Sequence, residues 1–158
     1  MAYNKPYVKT QAFYVDDVEI TATAAELNTL DNAIATAVPV LTAGATTDEM
    51  DITISVKDAA GSIIAAVHVL EVWITDSATA YTLTGTSASG ALTAIDGGII
   101  TAHTAKKHIT CVTPATGVIN LSLVDNSNTA GEIVCVKLPN GGFSVSAASV
   151  GTSYEGGT

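Results

Sequence analysis

The chain has 158 residues, of which 47% are hydrophobic, 13% charged and 5% aromatic, against roughly 25% charged in an average soluble domain. Fifteen acidic residues stand against six basic ones, all of them lysine, for a formal net charge of -9. This balance argues against binding along nucleic acid, which needs clustered Arg or Lys, and against an anionic membrane surface. The apolar residues are dispersed among Thr and Ser, and no run approaches the roughly 20 residues of a membrane span, so a soluble protein is expected. Met1 to Pro6 carry no apolar stretch of the kind that marks a secretory signal.

Residues 1–18 differ from the rest. Tyr3, Tyr7, Phe13 and Tyr14 fall there, half of all the aromatic residues, and aromatic side chains concentrate at interfaces. The segment reads as an anchoring arm, the alternative being an edge strand folded back on its own domain. Residues 19–38 carry a helical signature. Thr23-Ala24-Ala25-Glu26 has the form of a capping box, and Leu27, Leu30, Ile34 and Ala37 or Val38 follow at spacings of three and four. Pro39 would end this helix. At about fifteen residues it is marginal alone, so its stripe needs either the β domain of the same chain or copies of itself around an axis.

Residues 39–47 read as a linker. From residue 48 the period changes to two: Met50, Ile52, Ile54 and Val56 alternate with Asp51, Thr53, Ser55 and Lys57. A long β-rich stretch over 63–75 follows a turn at Asp58 to Ser62. It has Leu70, Val72 and Ile74 on one side and Val67, Val69 and Trp73 on the other. Shorter strands are predicted at 80–83, 98–101, 108–112, 118–124, 133–138 and 143–146. Turns at Ser89-Gly90, Asp96-Gly97-Gly98, 114–117, 125–131 and 139–142 separate them. Seven or eight short strands at this spacing predict a mainly β protein, an antiparallel sandwich of immunoglobulin-like type over 48–150. The tail, 151–158, shows no periodicity.

Cys111 and Cys135 sit in alternating apolar segments and are expected as buried free thiols packed as small hydrophobes; pairing across two strands is the alternative. His68, His103 and His108 show no metal-ligand spacing. His108 and Cys111, three apart on a strand, would face opposite sides. The acidic clusters Asp48, Glu49, Asp51 and Asp16, Asp17, Glu19 lack the graded spacing of a calcium loop, as does Asp125 to Asn128. Hydrolase and phosphate-binding motifs are missing from the sequence. The expectation is a protein without enzymatic activity, metal or cofactor, whose sparsely charged surface favours association.

Thr23, Glu26, Leu27, Asn28, Leu30 and Asp31 form the pattern T-x-x-E-L-N-x-L-D, which resembles a motif recurrent in bacteriophage virion proteins. In tail fibres, head fibres and related appendages this motif makes a short helix at an oligomer axis, often a trimer, between an anchoring segment and a β-rich module. The run from Val112 to Ser146 is similar to the closing strands of immunoglobulin-like modules on phage head and tail proteins. It departs in having Ile133-Val134-Cys135 where an aromatic residue is usual. The resemblance implies a capsid decoration or head-fibre subunit located in the virion and assembled in the host cytoplasm. Leu27, Leu30 and Ile34 would make trimer contacts, and Tyr3, Tyr7, Phe13 and Tyr14 would bind a major capsid protein or another virion protein. The alternative is a tail-associated fibre or a receptor- or carbohydrate-binding module. That reading needs aromatic platforms, for which Trp73, Tyr81, Phe143 and Tyr154 are available outside the arm, with Trp73 expected to be buried.

Overall fold

A computed structural model describes residues 13–15, 18–20, 34–79, 81–85, 88–104 and 106–157. The chain divides into two units, residues 1–31 and 32–158. In the first, strands β1 (Phe13–Val15) and β2 (Val18–Ile20) pair antiparallel, with Phe13 opposite Ile20 and Tyr14 opposite Glu19.

The second unit is built by the period-two pattern. β3 (Pro39–Ala43), β4 (Glu49–Ser55), β9 (Val118–Val124) and β6 (Thr93–Ala94) form a four-stranded sheet in the order β3-β4-β9-β6. The facing sheet has the order β11-β10-β5-β8-β7, from β5 (Val69–Thr75), β7 (Gly98–Thr104), β8 (His108–Val112), β10 (Ile133–Lys137) and β11 (Phe143–Val145). All strand pairings are antiparallel. The two inner faces enclose one core, with Met50, Ile52 and Ile54 meeting Leu70, Val72, Ile109, Leu121 and Val136, all fully buried. Burying each such side chain contributes about 1.5–3 kcal/mol.

The expected sandwich is present, and its connectivity is immunoglobulin-like. β3, β4, β9 and β6 occupy the places of strands A, B, E and D, while β5, β10 and β11 occupy C, F and G. The β7–β8 hairpin is inserted between D and E and extends the second sheet beyond C. Its start requires a glycine: Gly97 has φ +70, and a Cβ there would collide with the Val112 carbonyl oxygen. Beside it the Asp96 carboxylate accepts from the Asn120 backbone N–H and side-chain amide, both at 2.7 Å, which ties the corner to β9.

Several expectations change. The helix expected over 19–38 does not reach its C-terminal end: residues 34–38 are extended, and Val18–Ile20 is a strand. Thr36 bridges Lys57, Ala37 is fully buried, and its N–H donates to Ser144 Oγ at 3.0 Å. Pro39 disfavours helical backbone at Val38, and these strand-type bonds take the amides a last helical turn would have used. Ile34 therefore packs against the sandwich core of its own chain, and its carbonyl accepts from the Asn140 amide. Residues 21–33, with Leu27 and Leu30, lie outside the described residues. The segment 39–43, expected as linker, is strand β3. The long β stretch over 63–75 is a strand only from Val69.

The C-terminal tail is part of the fold. After a 3-10 turn at Gly151–Ser153, Tyr154 is fully buried in the core and its hydroxyl donates to Glu132 Oε2. Glu155 exchanges backbone bonds with Asp48 and Glu49. Burial drives the Glu132 carboxyl above its ordinary range, with Asp125 and Asp76 adding like charge, against the lowering effect of the Tyr154 hydrogen bond. A carboxyl raised in this way favours folding while protonated, and that contribution is lost as pH rises through its folded-state value.

Cys111 pairs with Leu70 on the core side of β5, whereas Cys135 pairs with Trp73 on the opposite side. Opposite faces of one sheet rule out a disulfide between them. Both thiols are buried and free, and burial pushes them up to about 12 and about 11 respectively.

Two outcomes follow. The intact mass should not change on reduction, and the native thiols should react with a disulfide reagent near pH 8 only through unfolding; prompt native reaction would contradict the burial. Tyr154→Phe, which strips Glu132 of its hydroxyl partner, should lower stability at neutral pH by about 1–3 kcal/mol in denaturant titration, and adding Glu132→Gln should recover part of the loss.

Candidate functional site

The residues expected to act at interfaces are not brought together among the described residues. Tyr3, Tyr7, Leu27 and Leu30 fall outside them, Phe13 and Tyr14 lie on β1, and Ile34 belongs to the sandwich. The acidic cluster is dispersed in role. Glu49 Oε2 accepts from the Thr46 N–H and hydroxyl, Asp48 Oδ1 accepts from the Asn128 amide, and Asp51 Oδ1 is buried without a hydrogen-bond partner. Asp125 closes its own turn by accepting from the Ser127 N–H and from the Thr129 N–H and hydroxyl. Among the described residues no group of three or more His, Cys, Asp or Glu side chains is placed to hold a metal ion.

The outer face of the five-stranded sheet does gather aromatic and polar side chains. Alternation along β5 sends Leu70, Val72 and Ile74 to the core, which leaves Val69, Glu71 and Trp73 on the other face. Register sets their neighbours. Trp73 lies opposite His108 of β8 and Cys135 of β10, while Glu71 lies opposite Thr110 and Lys137. Lys137 in turn lies opposite Phe143 on β11.

The rings form a connected series. Trp73 meets His108 edge to face at 5.8 Å between centroids and Phe143 likewise at 6.0 Å. Tyr81 stacks on Phe143 at 4.8 Å with an interplanar angle of 14°, and His103 lies 4.5 Å from His108. Such contacts contribute about 0.5–1.5 kcal/mol beyond area burial. Tyr81 reaches its position from the loop after β5 in a left-handed backbone conformation, φ +54, which costs a non-glycine residue about 1–3 kcal/mol. It is held by the Trp73 indole, whose Nε1–H donates to the Tyr81 carbonyl at 2.8 Å. Trp73 itself is 8% exposed, as its place in the longest apolar segment predicts.

Polar groups complete the face. His108 Nε2 lies 2.9 Å from Glu71 Oε1, and Lys137 Nζ is 3.5 Å from Glu71 Oε2. His103 Nε2 lies 2.8 Å from the Thr110 hydroxyl. Partial burial raises the Glu71 carboxyl, but the hydrogen bond from His108 and the charge and hydrogen bond of Lys137 outweigh it and hold Glu71 below its ordinary value of 4.5. Two shallow depressions flank this carboxylate. One, of about 220 Å³, is lined by Glu71, Trp73, Tyr81, Leu83 and His108. The other, of about 260 Å³, is lined by Val69, Glu71, Thr110, Lys137, Leu138 and Pro139.

Sequence reasoning noted Trp73, Tyr81 and Phe143 as available aromatics but did not join them, nor connect them with Glu71, His103, His108 and Lys137. Alternation alone assigns 71 and 73, 108 and 110, and 135 and 137 to matching phases of three strands. Choosing their alignment needs the pairing order. Tyr154, the fourth aromatic residue counted outside the arm, is a core residue and takes no part. His108 and Cys111 do face opposite sides, as their spacing predicts.

No family model, curated protein or solved structure matches the chain.

Glu71 yields a pH test. A carboxylate held below its ordinary value contributes stability above its unfolded-state pKa and loses it as pH falls through the lower folded-state value. Glu71→Gln should therefore flatten the acid limb of the stability curve below about pH 4.5 and leave the alkaline limb unchanged; an unaltered acid limb would show that His108 and Lys137 do not hold this carboxylate.

Proposed function

We propose that the protein is a non-enzymatic structural subunit of a bacteriophage virion, of the capsid decoration or head-fibre type, in which the N-terminal unit attaches and the sandwich is displayed. The observation that carries this reading is the division of the chain at Asp31/Asn32. The T-x-x-E-L-N-x-L-D motif and the aromatic residues Tyr3, Tyr7, Phe13 and Tyr14 fall on one side of it, and a self-contained immunoglobulin-like core on the other. Attachment then acts through buried apolar surface, at about 25 cal/mol per Å² before association costs are subtracted. The sparse charge and exposed aliphatic residues such as Val38, Val40, Ile99 and Ile100 on or beside edge strands β3 and β7 suit a surface that packs against neighbours. The partner in this reading is a major capsid protein or another virion protein, with three copies of the chain meeting at Leu27 and Leu30. Ile34, engaged by its own sandwich, is not part of that contact.

A second reading, a tail-associated or receptor-binding module, is favoured by a different observation: the ring series on the outer face of the five-stranded sheet. The two readings are compatible, because the first concerns how the protein is held and the second what the held domain touches.

Sedimentation equilibrium should return three times the 16.0 kDa chain mass. Leu27→Asp combined with Leu30→Asp should reduce this to one chain. Removal of residues 1–31 should abolish cosedimentation with particles from the same source while leaving the unfolding transition of the sandwich in place. Attachment that survives the truncation would refute the assignment of the N-terminal unit.

A further inference from the structure

We infer that the outer face of the five-stranded sheet is a saccharide-binding site, in which a neutral oligosaccharide of at least two pyranose rings lies across Glu71. The inference rests on the recognition reading of this face and is independent of how the N-terminal unit attaches.

The first depression has two unlike sides. Trp73, Tyr81 and Leu83 make one side apolar, and Glu71 with His108 makes the other polar. A pyranose ring has the same division, with an apolar C–H face and hydroxyl groups around its rim. Phe143 stacks on Tyr81 and remains 45% exposed, so the apolar side continues onto a second accessible ring. Tyr81 is the more telling residue. A ring placed at the cost of a left-handed backbone, with the Trp73 indole spent on securing its carbonyl, is the pattern of a preorganised contact surface.

The polar side is preorganised as well. Glu71 is fixed by His108 and Lys137, and each carboxylate oxygen has a second lone pair to accept a hydroxyl. On the far side of Glu71, Thr110, Lys137 and the apolar edges of Val69, Leu138 and Pro139 line the second depression. One carboxylate shared by two adjacent depressions is why more than one ring is required.

Other ligand classes fit less well. A cationic ligand would compete for a carboxylate that already has Lys137 and His108 as partners. Polyanions are opposed by the net charge of -9.

Trp73 is the only tryptophan in the chain, so its fluorescence reports on this site alone. The full chain should be screened on an array of neutral di- to hexasaccharides and titrated with maltotriose, cellotriose and chitotriose while Trp73 emission is followed. The expected result is array binding and a saturable emission change with at least one of these sugars, with affinity insensitive to salt. Tyr81→Asn removes the ring and substitutes a residue that tolerates positive φ, so it should preserve the melting temperature yet weaken binding at least tenfold. Glu71→Gln and Phe143→Ala should each weaken binding severalfold. The inference is overturned if no sugar binds or if affinity is unchanged in Tyr81→Asn and Glu71→Gln. Affinity that collapses with salt, the mark of a charged ligand, would also overturn it. The attachment assay with the truncated chain reads the N-terminal unit alone, so either reading can fail without the other.

Discussion

The pairing of β5 between β8 and β10 is the constraint on which the rest of the molecule depends. This one strand supplies Leu70, Val72 and Ile74 to the core and Glu71 and Trp73 to the opposite face. A shift of one residue in its register would exchange the two sets, placing a carboxylate and an indole in the core and three aliphatic side chains in solvent. The energy that fixes the register is hydrophobic burial on the inner face. The outer face inherits its geometry from that choice, so the juxtaposition of Trp73, His108 and Cys135 is set by the same register.

A chain with so few charges satisfies its buried polar groups by other means, chiefly hydroxyls. The N–H groups of Ala37, Val134 and Glu132 donate to the side-chain oxygens of Ser144, Ser146 and Ser149, and Thr113 ties the irregular segment before β5 to the end of β8 through His68. These contacts sit where strands end and ladder bonds run out, so each hydroxyl stands in for a missing strand neighbour. Lys137 and His108 both contact the Glu71 carboxylate. Closure of the sandwich relies on Ser, Thr and the Tyr154–Glu132 contact, with carboxylates such as Asp96 and Asp125 holding its turns.

This distribution bears on function. The core is complete within residues 32–158, and an immunoglobulin-like sandwich with an inserted hairpin extends its C–F–G sheet to five strands. The β7–β8 insertion supplies His103 and His108 to that face; without it the ring series would end at Trp73.

Strand existence and face were legible from composition and alternation, because a half-buried strand writes its two environments directly into consecutive residues. Met50 to Ser55 and Val118 to Val124 are the plainest cases. The buried state of both cysteines was legible for the same reason. Residues 34–38 and 151–157 were not, because their structure comes from partners distant in sequence. Ser144 and Lys57 draw Thr36 and Ala37 into extended backbone, and Glu132 with Asp48 and Glu49 gives a patternless tail its buried tyrosine. The ring series was illegible for a related reason. Alternation says which way a side chain points but not which strand lies beside it, and only the tertiary order of β11, β10, β5 and β8 puts Phe143, Trp73 and His108 in one row.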